Sequence, residues 1–203
     1  DKKSKILICT GIFPPDIGGP ATYSKILAFE LTKRGHDVRV VTYSEKESGI
    51  RSQELGSEFS VIRIARSRFK LLHYWRYFRA VKRYGKKADV LYAQDPVSAG
   101  YPTYLAAKVL KKPFAVKVTG DYSWEQAMNR KLTDKLIDEF QTLPSYSLPI
   151  NRIRNIQMQV TKSANLVITP SEYLKRLVVG WGVKEKLVKV VYNGIEIPRI
   201  DKP

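Results

Sequence analysis

Short runs rich in β-branched residues alternate along the chain with longer stretches whose apolar positions recur at helical spacing. Lys5–Thr10, Asp37–Tyr43, Phe59–Ile64, Asp89–Ala93, Phe114–Thr119, Asn165–Thr169 and Leu187–Val191 read as strands. Helices are expected near 20–34, 69–85, 97–110, 133–140, 151–163 and 171–180. Val38-Arg-Val-Val-Thr42 and Leu166-Val-Ile-Thr169 are almost continuously apolar, as in central parallel strands covered on both faces. The order predicts an α/β fold: a Rossmann-like, doubly wound, mostly parallel sheet of about seven strands with helices on both faces. The stretch Asn129 to Ile150, with Pro144 and Pro149, reads as an irregular excursion folded over the site.

In doubly wound sheets ligands bind beyond the carboxyl ends of the strands, so the residues that follow each strand are the candidates. The first such junction carries Gly11-Ile-Phe-Pro-Pro-Asp-Ile-Gly-Gly19 and then Pro20, where a missing N–H costs nothing in a first helical turn. Backbone N–H groups at a helix start have no intrahelical partner and sit at the positive end of the dipole. A glycine pair there lets a phosphate approach without a Cβ in the way. The competing reading of Gly18-Gly19 is a tight turn. In the helix that follows, Tyr23, Ile26, Leu27, Phe29 and Leu31 recur at helical spacing, and Lys33-Arg34-Gly35 ends it. The other strand-end segments are Gln94-Asp95-Pro96, Gly120-Asp121-Tyr122, Pro170-Ser171-Glu172 and Asn193-Gly194.

Composition narrows the class. A chain of 203 residues with 43% hydrophobic content can fill the core of one folded domain. No apolar run approaches the roughly 20 residues that span a bilayer, and no signal-peptide core follows Asp1-Lys2-Lys3, so cytoplasmic residence is the expectation. The single cysteine, Cys9, falls in the first strand as a small core residue. His36 and His73 are not spaced as metal ligands, and neither a metal nor a cofactor is expected.

Charge changes the picture most. The net charge of +17 implies an anionic partner. Nine basic residues lie between Arg66 and Lys87 with no acidic residue among them, interleaved with Phe69, Tyr74, Trp75, Tyr77, Phe78 and Tyr84. Leu71, Leu72, Trp75, Phe78 and Val81 are expected on one face of a basic amphipathic helix. Arg76, Arg79, Lys82 and Arg83 of such a helix can lie on an anionic membrane surface, peripheral on its inner face; the bland reading is a solvated outer face.

These residues resemble the N-terminal half of the retaining glycosyltransferases of family 4, which have the two-domain GT-B architecture. Phe13-Pro-Pro-Asp-Ile-Gly-Gly19 with Arg34-Gly35-His36-Asp37-Val38 is similar to the family's opening. Ala164-Asn-Leu-Val-Ile-Thr-Pro-Ser171 and Lys189-Val-Val-Tyr-Asn-Gly-Ile-Glu196 are similar to its last two strand ends. The resemblance implies a single acceptor-side domain over 1–203, with 193–203 as the start of an interdomain linker and the donor-binding C-terminal domain missing. It implies a nucleotide-sugar as co-substrate, a sugar or lipid-linked acceptor, and no turnover by this half alone. Gly18 and Gly19 would face the donor phosphate.

Many family members carry a histidine after the strand that ends near residue 118; here the run is Lys117-Val-Thr-Gly-Asp121 and the histidine's position falls to Thr119. Asp121 or Glu125 could then orient an acceptor hydroxyl, with Asp121 alternatively capping the next helical turn. Asp95, Thr119 and Tyr122 are the acceptor-binding candidates, and Asp95 also reads as a cap. Tyr122 and Trp124 could stack on a sugar face or simply pack. A dinucleotide-dependent oxidoreductase fits poorly, because no G-x-G-x-x-G follows the first strand and the second ends Thr42-Tyr-Ser44. A nucleic-acid binder would suit the charge, yet no recognised binding motif accompanies it. A non-catalytic basic module for a membrane or nucleic acid is the remaining alternative.

Overall fold

The computed structural model describes residues 3–45, 49–52 and 59–194. Eight strands form one sheet in the order β3-β4-β2-β1-β5-β6-β7-β8. They are β1 (Lys5–Thr10), β2 (Asp37–Ser44), β3 (Gly49–Ser52), β4 (Ser60–Ala65), β5 (Val90–Ala93), β6 (Phe114–Lys117), β7 (Leu166–Thr169) and β8 (Val188–Val190). Every neighbouring pair is parallel except β3 with β4, so the seven expected strands form the parallel sheet. The short β3 adds an antiparallel edge that the apolar pattern did not reveal. From β1 the chain winds outward through β2 and β4, then returns to β5 and winds the other way. The topological switch point therefore lies between β1 and β5, where ligands bind in such sheets.

Strand residues alternate between two cores. Leu7, Cys9, Val41, Leu91, Ala93 and Val116 face one side, packed against helices α2 (Lys70–Gly85), α3 (Gly100–Leu110), α6 (Leu148–Ser163) and α7 (Glu172–Gly180). Ile8, Val38, Val40, Val61 and Ala115 face the other, against Ala28 of helix α1 (Gly19–Lys33). Burial pushes the Cys9 thiol up to about 12, so it is an inert core residue.

Two helices turn differently from the sequence expectation. In α1 the buried positions are Ala21, Ser24 and Ala28, while Ile26 and Phe29 are exposed. Small residues let α1 sit close on the sheet, with Leu27 and Leu31 half-buried against the core and Ile26 and Phe29 left outside. In α2 the buried positions are Tyr77, Ala80, Val81 and Gly85, so Val81 and the half-buried Phe78 of the expected face meet the core, whereas Leu71 (88% exposed) and Trp75 (50%) face out. The Tyr77 hydroxyl lies 3.0 Å from Thr10 O at the end of β1 and 2.9 Å from Val41 O within β2, and this polar anchor sets the helix's rotation.

The segment after β6 is ordered rather than irregular. Helices α4 (Tyr122–Asn129) and α5 (Ile137–Thr142) join the first turns of α6 around a satellite core of Ala127, Phe140 and Ile150. Phe140 stacks on Tyr146 at 4.1 Å, and Arg154 donates to Leu143 O and Gln141 O, each at 3.1 Å. The segment forms one wall beside the strand ends. Of the linker expected over 193–203, only Asn193 and Gly194 lie within the described residues.

Candidate functional site

The loop after β1 is held from three directions. Thr10 Oγ1 donates to Ile12 O at 2.9 Å, and Phe13, 1% exposed, packs edge-on against Phe59 at 6.3 Å. Arg63, buried in β4, donates from Nη2 to Pro14 O at 2.5 Å. The chain then enters α1 at Gly18 and Gly19 with no side-chain cap, and the first return bond runs from Thr22 N to Gly18 O at 3.1 Å. A Cβ built on Gly19 would meet nothing within 4 Å, and Gly19 is exposed. The helix start therefore has no side-chain cap and open space over Gly19 at the carboxyl edge of the sheet, while Ile12 flanks Gly18, an arrangement that favours an anion at Gly19.

Beside it, at the switch point, is a cleft of about 370 Å³ lined by Gly11, Ile12, Pro20, Tyr43, Arg66, His73, Asp95, Ser98, Thr119, Gly120, Tyr122 and Glu125. The structure thus brings Asp95, Thr119, Tyr122 and Glu125 to one place, with very different freedom. Asp95 Oδ1 accepts from the N–H groups of Val97 (2.8 Å), Ser98 (2.5 Å) and Ala99 (3.2 Å), while Oδ2 accepts from Ser98 Oγ (2.8 Å) and Ala99 N (3.1 Å). Its carboxylate is taken up in shaping the turn into α3. Thr119 is exposed on the cleft wall.

Asp121 does not reach the cleft, which corrects its expected catalytic role. It is 1% exposed and caps α4, accepting at Oδ1 from Ser123 N (2.9 Å), Ser123 Oγ (2.5 Å), Trp124 N (3.1 Å) and Gln157 Nε2 (3.0 Å). Its Oδ2 accepts from Gln141 Nε2 at 2.7 Å, so both oxygens are saturated by the fold. Glu125 is different: its carboxylate folds over Gly120, where an added Cβ would come within 2.5 Å of Oε1. Burial first and the Asp121 charge second raise its pKa above the usual carboxylate value.

Sequence reasoning missed His73, Tyr43 and Arg66. His73 comes from α2, its ring stacked on Tyr43 with centroids 3.9 Å apart and planes 12° apart. Burial, then Arg66, lowers its pKa, so the imidazole at the cleft is neutral at pH 7. Arg66 is paired with Glu45 at 3.0 Å and reaches towards Gly11 O at 3.5 Å. The signal was present in part: His73 lies one turn before the core residue Tyr77, and Tyr43 closes the second strand. Among the described residues no group of three His, Cys, Asp or Glu side chains is gathered as a metal site would require.

Lys117, 1% exposed, is the most buried cation among the described residues. Its Nζ donates to Asn193 Oδ1 at 2.7 Å and stands 3.1 Å from the centre of the Tyr23 ring, and burial lowers its pKa to about 8. Arg76, Arg79, Lys82 and Arg83 are all exposed on the outer face of α2, with the Arg79 guanidinium 4.7 Å above the Trp75 ring. Among the described residues no helix is long and apolar enough to cross a membrane.

The sheet order and the cleft at its switch point define one Rossmann-like half of the GT-B architecture. The sequence profile of Glycosyltransferase Family 4 matches residues 17–199, and the chain belongs to that family. A search of curated protein sequences returned no match. Among solved structures the fold is similar to sucrose-phosphate synthase from Thermosynechococcus elongatus, with TM-score 0.64 and 13% identity, over 96% of this chain and 49% of that one. It is also similar to Anabaena HepE in complex with UDP and glucose, with TM-score 0.63 and 16% identity, over 95% and 45%. The UDP-GlcNAc 2-epimerase of Methanocaldococcus jannaschii shares the fold too, with TM-score 0.59 and 16% identity, over 92% and 45%. The chain thus spans about half the length of the structures it matches. Family membership favours a glycosyltransferase domain over a non-catalytic basic module.

Proposed function

We propose that this chain is the acceptor-side half of a nucleotide-sugar-dependent, retaining glycosyltransferase, completed by a donor-binding half. The observation that carries the reading is the uncapped start of α1 at Gly18 and Gly19, with open space over Gly19 beside a cleft at the switch point. Its amides stabilise the donor diphosphate as charge develops on it, the largest electrostatic demand of the reaction. In the transfer step the bond from the anomeric carbon to the diphosphate oxygen breaks, and the acceptor oxygen bonds to that carbon on the same face. The acceptor proton passes to the departing diphosphate. Glu125 orients the acceptor hydroxyl, Thr119 and Tyr122 line its approach, and neutral His73 offers a hydrogen-bonding edge.

That UDP is held by HepE supports a nucleoside diphosphate as the leaving group. The test is transfer from a nucleotide-sugar by a polypeptide joining this chain to a donor-binding half, with the product's anomeric configuration read by NMR. Retention supports the proposal; inversion, or hydrolysis of the donor without transfer, removes it. The chain alone is expected not to turn over.

The acceptor is membrane-presented in this reading. Phe69, Leu71 and Trp75 are exposed beside Arg76, Arg79, Lys82 and Arg83, an apolar ridge flanked by cations as interfacial helices present. Sedimentation with anionic vesicles should deplete the protein from solution, and charge reversal at those four positions should return it. Unchanged sedimentation of the reversed variant contradicts the membrane contact.

A further inference from the structure

A second and larger groove, about 810 Å³, adjoins the cleft and shares Arg66, His73 and Tyr122 with it. Its charge is one-sided. Arg68 enters from the β4–α2 loop, Arg130 from the end of α4 and Arg152 from the second turn of α6; among the described residues no acidic side chain lines it. Arg130 makes a 3.3 Å contact with Gln126, and among the described residues no carboxylate pairs with Arg68, Arg130 or Arg152. The three arginines are exposed, so the positive potential they set up along the groove is open to a dissolved anion. The 16-residue helix α6 starts here with no side-chain cap, adding its positive end to the same space.

We infer that this groove binds a phosphate or diphosphate ester, the anionic part of the acceptor, and leaves the acceptor's hydroxyl in the adjoining cleft. The acceptor role rests on the glycosyltransferase reading; the anion site itself does not. Guanidinium forks from three elements match the oxygens of a phosphate group better than a single carboxylate. The apolar side of the groove fits the remainder of an amphiphilic ester: Leu148, 76% exposed, and Ile153 line it next to Arg152.

The probe is inorganic pyrophosphate, titrated calorimetrically against the protein at low ionic strength. Binding should be saturable, and Arg130→Gln with Arg152→Gln should weaken it by about ten-fold or more, the scale of lost bidentate contacts. Lys86→Gln with Lys87→Gln, which removes the same charge at the far end of α2, should leave it unchanged. Farnesyl diphosphate distinguishes the sources: equal affinity assigns a soluble phosphorylated acceptor, and tighter binding that is reduced by Leu148→Ser assigns a lipid-carried one. No saturable binding, or equal weakening by both double variants, overturns the site. Weakening by Gly19→Ala in place of the arginine variants also overturns it, while leaving the donor-loop reading intact.

Discussion

The imidazole of His73 lies flat on the phenol of Tyr43, 3.9 Å between ring centres, and this stack joins helix α2 to the carboxyl end of β2 at the floor of the cleft. The ring is held neutral by burial and by Arg66. An unfolded histidine titrates near pH 6.5 and the folded one lower, so the unfolded chain binds the extra proton first as pH falls. Stability from this group is full above about pH 6.5 and is lost below it, towards the folded pKa. His73→Phe keeps an aromatic face on Tyr43 and removes the titration. Urea unfolding at pH 7.5 and 5.0 should show a smaller acid loss in the variant than in the parent.

Two glycines at helix starts, Gly100 of α3 and Gly19 of α1, separate stability from binding. A Cβ on Gly100 would run into the backbone carbonyl of Asp95, which cannot move without breaking the turn into α3. Gly100→Ala should therefore cost on the order of 3 kcal/mol. Gly19→Ala meets no atom and should change stability by less than about 0.5 kcal/mol, while its methyl group occupies the space a phosphate would use. Thermal unfolding and nucleoside diphosphate titration of both variants check the contrast.

The two carboxylates after β6 should behave as opposites. Asp121→Ala removes the cap of α4 and strands Gln141 and Gln157, a loss of about 2 to 4 kcal/mol. Glu125→Gln should leave the unfolding midpoint near the parent's and lower sugar transfer about 100-fold. Unfolding curves and transfer rates, measured on each variant in the complete enzyme, read the two roles independently.

Lys117 gives the fold an alkaline signature. Its folded pKa of about 8 lies below the unfolded value, so between those values the unfolded state binds more protons and stability rises with pH. Lys117→Met should be the more stable protein near pH 7. Its advantage should shrink above pH 8, by at most about 1.4 kcal/mol per pH unit. Unfolding free energies at pH 7, 8.5 and 10 test the sign.

What was legible in the sequence was what local pattern controls. The seven parallel strands followed from β-branched runs, and the glycine junction followed from Gly18, Gly19 and Pro20. The edge strand β3 was not legible, because four residues beginning with Gly49 carry too short a pattern. The rotation of α2 was legible only in part: Val81 and Phe78 of the expected face meet the core, but the Tyr77 hydroxyl contacts with Thr10 and Val41 turn Leu71 and Trp75 outward. Asp121 carried both its readings in sequence, and only the side chains of Gln141 and Gln157, distant along the chain, decided for the cap. The arginine groove draws on three separated segments, so no local window contains it.

If the amides beside Gly18 and Gly19 receive the donor's diphosphate, as proposed, a nucleoside diphosphate must perturb them. Selective ¹⁵N-glycine labelling leaves only 12 amide signals, few enough to follow each one during a titration with UDP. Saturable shifts are expected at Gly18 and Gly19, and in Gly19→Ala the remaining Gly18 shift should need more UDP to saturate. Both signals standing still at millimolar UDP, while other glycines move, would contradict it.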